Sequence, residues 1–129
     1  MLDTNAYTAL LTGDEDVLDA LASADFVFVS AVVLGELFAG FRGGIREREN
    51  RDRLDEFLRR PPVRTLDVAR GTAEVFGQIK HQLQVGGTPI PLNDVWIAAH
   101  AIENGSWLVT FDRHFTHVQG LLLWDRLAT

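Results

Sequence analysis

Short β-branched or aromatic runs alternate along this chain with longer stretches of helical periodicity, and that alternation constrains the fold more than any other feature. Residues 26–30 read FVFVS after Asp25, and residues 107–111 read WLVTF after Asn104-Gly105. Both fit buried strands, as do residues 121–124 after Gly120 and residues 63–66 after Pro61-Pro62. Residues 1–3 supply the stub of a fifth. Between them, Leu34, Leu37, Phe38 and Phe41 recur at i, i+3, i+4 and i+7, the stripe of an amphipathic helix. Val17, Leu18 and Leu21 after Asp14 mark a shorter helix, and Leu54, Phe57 and Leu58 mark another. Residues 69–85 carry Ala73, Val75, Phe76, Ile79 and Leu83 and run into Gly86-Gly87, a C-terminal helix signal. Residues 94–103 form the last helix, stopped by Asn104-Gly105. Strands separated by helices of this length call for crossover connections. The expected fold is therefore α/β, one domain over residues 1–129 with a mainly parallel sheet and helices on both faces.

Absent cysteine excludes a disulfide framework, a thiolate metal site and a Cys nucleophile. The longest apolar run, AVVLGELFAGF at residues 31–41, contains Glu36 and falls far short of the ~20 residues a membrane helix needs. No basic stretch precedes an apolar run near the start, so the cytoplasm is the expected compartment, with no membrane association.

A net charge of −6 argues on its face against a phosphate-rich partner. The distribution argues otherwise, because Arg42, Arg46, Arg48, Arg51, Arg53, Arg59, Arg60 and Arg64 crowd residues 42–64, less than one fifth of the sequence. Guanidinium groups pair bidentately with phosphate or carboxylate. The segment suits RNA, an acidic partner peptide, or a solvated helix in which Glu47, Glu49, Asp52, Asp55 and Glu56 pair with the arginines.

Ligands of open α/β sheets bind at the carboxyl ends of the strands, which raises the weight of polar residues at strand exits. Asp3 ends the first strand and Asp112 follows WLVT; Asp94 opens a helix after the loop GGTPIPLN, where the helix dipole favours an anion. Glu36 is surrounded on its own helix by Val32, Val33, Ala39 and Gly40, so it needs a tertiary cation, a donor or a metal. Gathered carboxylates repel unless a cation sits among them, and an all-oxygen set suits Mg²⁺ or Mn²⁺. No HExxH pattern occurs, and His114 with His117 reads as loop surface. Rival readings are a receiver-like regulatory domain, another Mg²⁺-dependent phosphoesterase or DNA nuclease, and an inactive RNA- or peptide-binding module. The first lacks a strand-end lysine, since Lys80, the only lysine, lies in a helical pattern.

MLDTN, SAVVLGEL, PLNDVWIAAHA and LVTFDRHF, in that order and spacing over residues 1–124, resemble the PIN-domain family, and within it the VapC-type toxins. The resemblance implies an α/β/α sandwich with a five-stranded parallel sheet and a Mg²⁺- or Mn²⁺-dependent endoribonuclease, held in check by a VapB-like antitoxin. Asp3, Glu36, Asp94 and Asp112 then occupy the acidic, metal-holding and catalytic positions. Asn5 and Thr110 fall on polar positions beside them, with Thr4 and Asn5 implied as caps of the first helix. A homodimer, an RNA substrate and an antitoxin groove are implied partners. Leu37, Phe38, Phe41, Leu54 and Phe57 are the apolar candidates for such surfaces, or for the core.

Overall fold

The computed structural model describes residues 1–124. Along them run α1 (Thr4–Leu11), α2 (Glu15–Ala22), β1 (Val27–Ser30), α3 (Ala31–Phe41), α4 (Glu47–Leu58) and β2 (Val63–Leu66). Next come α5 (Arg70–Gly86), α6 (Leu92–Glu103), β3 (Trp107–Leu108), a 3₁₀ turn (Arg113–His117) and β4 (Leu122–Leu123). The α/β alternation holds, with shifts at the element ends. The last long helix begins at Leu92 rather than Asp94, which places Asp94 within its first turn. α5 closes on Gly87 at φ 68°, a left-handed conformation that glycine adopts without strain.

Pairing is parallel throughout. β1 joins β2 with Val27 opposite Val63 and Ser30 opposite Leu66, and β3 joins β4 with Trp107 opposite Leu122. Residues 1–3 lie between the pairs: Leu2 N donates to Phe28 O at 2.9 Å, Asp3 N to Val109 O at 3.0 Å, and Val109 N to Met1 O at 2.8 Å. Of the five-stranded sheet expected from the sequence, regular pairing covers two two-stranded parallel sheets, and residues 1–3 join them through single hydrogen bonds and an isolated bridge, Leu2 to Val109. Brevity is the cause. Asp3 already caps α1, so only two residues are left to pair before the chain turns into helix.

Apolar side chains from every layer meet in one core that includes Leu2, Val33, Leu54, Leu83, Val95, Ile97, Leu108 and Phe115. Each such side chain contributes about 1.5–3 kcal/mol when fully buried. Leu37, Leu54 and Phe57 belong to this core rather than to a partner surface, while Phe38 and Phe41 are partly buried and meet edge to face, their centroids 6.4 Å apart. α4 carries many charges and buries only Leu54 and Phe57. Its arginines do not form the expected lattice of ion pairs. Among the described residues only Arg53 and Glu49 pair within that segment, at 3.1 Å, while Arg51 lies over the Phe38 ring at 4.8 Å.

α6 is apolar nearly all round, with Val95, Ile97, Ala98, Ala99, His100 and Ala101 buried, as suits a helix packed on several sides. Two polar bolts hold it. Thr72 accepts from Ala69 N at 3.1 Å and donates to Glu103 Oε1 at 2.7 Å, tying α5 to its end. At its middle, His100 is fully buried, with Nδ1 2.8 Å from Ser30 Oγ and Nε2 3.1 Å from Asp67 O. Ser30 Oγ in turn accepts from Val32 N at 3.0 Å and so caps α3. Among the described residues no helix is long and apolar enough to cross a membrane.

Candidate active site

Strand exits and helix starts deliver the acids. The first segment ends at Asp3, β1 passes through Ser30 into α3 and its Glu36, and the β3 segment runs on to Thr110 and Asp112. Asp94 arrives from the first turn of α6.

Asp3 is 5% exposed and holds two hydrogen bonds, from Thr4 N to Oδ1 at 2.8 Å and from Thr110 Oγ1 to Oδ2 at 2.7 Å. It is Asp3, not Thr4 or Asn5, that caps α1. Those two side chains face tertiary partners instead. Thr4 Oγ1 donates to Glu36 Oε1 at 2.9 Å, which supplies the donor that Glu36 lacks on its own helix. Asn5 Oδ1 accepts from Phe111 N at 3.2 Å and lies 3.4 Å from Thr110 Oγ1, fixing the segment that leads to Asp112. Thr110 Oγ1 also accepts from Asp112 N at 3.0 Å.

Asp112 caps the 3₁₀ turn by accepting from His114 N at 3.3 Å. That turn brings the His114 ring back over the acids, with Nε2 2.5 Å from Asp112 Oδ2 and 2.8 Å from Asp94 Oδ2. Both contacts are close enough for an ion pair, yet neither is aligned as a hydrogen bond, and Nε2 is shielded from solvent. The loop-surface reading of His114 is therefore corrected. The sequence signal was Asp-x-His, in which a capping acid and the residue two places on meet within one tight turn. His117 stays outside the cluster, its carbonyl accepting from Gln82 Nε2 at 3.0 Å.

Ligand atoms of Asp94, Asp112 and His114 lie within 4.8 Å of one another, a spacing that can hold a metal ion. Asp3 and Glu36 are not part of that trio, but their charges reach it. Burial, first, and then the fields of Asp3, Asp112 and Glu36 push the Asp94 carboxyl up to about 6, against the opposing pull of His114. Burial likewise raises Asp3, helped by Glu36 and Asp112 and opposed by its bonds from Thr110 and Thr4. Two acids, Asp3 and Asp94, raised by burial and by neighbouring carboxylates, and a shielded imidazole nitrogen without an aligned acceptor fit a divalent cation. A cavity of about 920 Å³ lies elsewhere, lined by Asp19, Phe26 and Trp107 near the amino ends of β1 and β3.

The PIN domain family model matches residues 1–121. The chain is 31% identical to Ribonuclease VapC2 of Rickettsia felis, with 98% of each protein covered. Its fold is similar to that in the crystal structure of VapBC2 from the same organism bound to a DNA fragment from their promoter, with a TM-score of 0.84, 29% identity and 96% of each chain covered. DNA-bound VapBC from Salmonella typhimurium gives a TM-score of 0.85 at 27% identity, over 96% of this chain and 95% of that one.

Proposed function

The chain belongs to the PIN-domain family, and from that premise we propose that it is a divalent-metal-dependent endoribonuclease, the toxin of a toxin–antitoxin pair, acting as a single domain in the cytoplasm. The convergence of Asp94 and Asp112 in one trio, with Asp3 and Glu36 close enough to perturb Asp94, carries the reading. Mg²⁺ or Mn²⁺ is the proposed ion, held by Asp3, Glu36, Asp94 and Asp112. When bound, it neutralises the phosphate and lowers the pKa of water at the site.

The side chains divide the remaining work. Thr110 and Thr4 N fix both oxygens of Asp3, so that its carboxylate is oriented before any ligand arrives. Thr4 does the same for Glu36. Asp112, with a third of its side chain exposed, sits on the open side of the cluster and is placed to take a proton during attack on the phosphodiester. RNA is the proposed substrate, consistent with the name of the ribonuclease relative. A VapB-like antitoxin is the proposed partner, as in the VapBC neighbours, and the active form is proposed to be a homodimer. Asp3→Asn and Asp94→Asn, assayed on RNA, DNA and a phosphomonoester with Mg²⁺ or Mn²⁺, test the proposal. RNA cleavage lost in both supports it; full activity in both overturns it.

A further inference from the structure

We propose that His114 is itself a metal ligand, through Nε2, and that it tunes the site toward Mn²⁺ over Mg²⁺. The inference rests on the nuclease reading and adds a nitrogen donor to a set the sequence presents as all oxygen.

Three observations carry it. The first is position: Nε2 lies between Asp112 Oδ2 at 2.5 Å and Asp94 Oδ2 at 2.8 Å, inside the one trio of ligand atoms found among the described residues. The second is geometry. Neighbouring donors on an octahedral ion with bonds near 2.1 Å sit about 3 Å apart, close to the Asp94 spacing and about half an ångström wider than the Asp112 one. A ring N–H serving these acids as a hydrogen-bond donor would point at one of them, and this one points at neither. The third is anchoring, since the ring is not a loose surface group. His114 N is tied to Asp112 Oδ1, the next residue, Phe115, is fully buried, and the two rings are 5.9 Å apart. The imidazole is delivered by its own turn to the acid that caps it.

The chemistry of the donors sets the selectivity. Mg²⁺ takes oxygen ligands and demands near-ideal geometry, whereas imidazole suits transition metals. Two carboxylates and an imidazole therefore gain more from Mn²⁺ than from Mg²⁺. Both ions still bind through the carboxylates.

Electron spin echo spectroscopy of the full chain with one equivalent of Mn²⁺ reads the ligand directly. Nitrogen modulation is expected in the unaltered protein, shifted to the ¹⁵N pattern when histidine is ¹⁵N-labelled and lost in His114→Ala. Calorimetric titration should show the Mn²⁺ Kd rising about tenfold in His114→Ala and the Mg²⁺ Kd moving less than twofold. His114→Gln, which keeps a polar side chain of similar length, should behave as His114→Ala does. A nitrogen-free echo with Mn²⁺ bound, modulation that survives His114→Ala, or equal weakening of both ions overturns the ligand assignment and leaves the nuclease reading standing. Unaltered RNA cleavage by both Asp3→Asn and Asp94→Asn overturns both.

Discussion

Thr110 gives its one hydroxyl proton to Asp3 Oδ2 at 2.7 Å and takes the amide proton of Asp112 at 3.0 Å. A single buried side chain thus sets the orientation of two acids that come from opposite ends of the sequence. Thr110→Val keeps the shape and removes both interactions. We expect metal affinity to fall about tenfold, stability to drop by about 1–3 kcal/mol, and Thr110→Ser to restore most of both. Calorimetry with Mn²⁺ and urea denaturation of the three proteins check this.

Asp94 gives the site a defined pH response. Its carboxyl rises from 3.8 to about 6 on folding, chiefly through burial, so between those values the native chain holds a proton that the unfolded chain has released. Without metal, the contribution of Asp94 to stability therefore falls as pH rises from about 4 to 6. Mn²⁺ requires the ionised form and so binds more tightly over the same rise. Thermal melts in EDTA, taken as the difference between the unaltered protein and Asp94→Asn, should show the first trend. Melts with added Mn²⁺ should show a stabilisation that grows toward neutral pH.

The His100–Ser30 contact predicts an asymmetric pair of variants. Asp67 O can only accept, so Nε2 carries the ring proton and Nδ1 accepts from Ser30, an assignment made from the partners. Ser30→Ala leaves Nδ1 buried without a donor and uncaps α3, and we expect a loss of about 2–4 kcal/mol. His100→Asn retains an acceptor near Nδ1 but cannot reach Asp67, and should cost less in the cap than Ser30→Ala does. Urea unfolding, together with hydrogen exchange at the Val32 amide, separates the two.

Tyr7 offers a gain. It is 2% exposed, packs edge to face on Phe57 with centroids 5.4 Å apart, and its hydroxyl has no hydrogen-bond partner among the described residues. Tyr7→Phe keeps the ring and removes the stranded group, so a stabilisation of about 1 kcal/mol is expected. A melting temperature unchanged or lowered would contradict this.

The positions of the acids were legible because the chain's alternation fixes an α/β fold whose strand exits are exposed; Asp3 and Asp112 stand at those exits and Asp94 just inside a helix. Glu36 was legible as a charge among Val32, Val33, Ala39 and Gly40. His114 was not, since its place depends on a 3₁₀ turn that local propensity leaves unspecified. The roles of Thr4 and Asn5 were hidden for a related reason. Capping is a local pattern, whereas their partners Glu36 and Phe111 lie 32 and 106 positions away. Strand lengths also escaped, because the extent of a ladder is set by its neighbours: WLVTF keeps only Trp107 and Leu108 in regular pairing.

Asp3 and the groups that seat it, Val109 and Thr110, lie more than a hundred positions apart in the sequence. All of the intervening polypeptide must therefore be made before the acids can assemble. A chain that has not yet been made as far as Thr110 consequently lacks the assembled cluster, an order of events that arises from sequence separation alone.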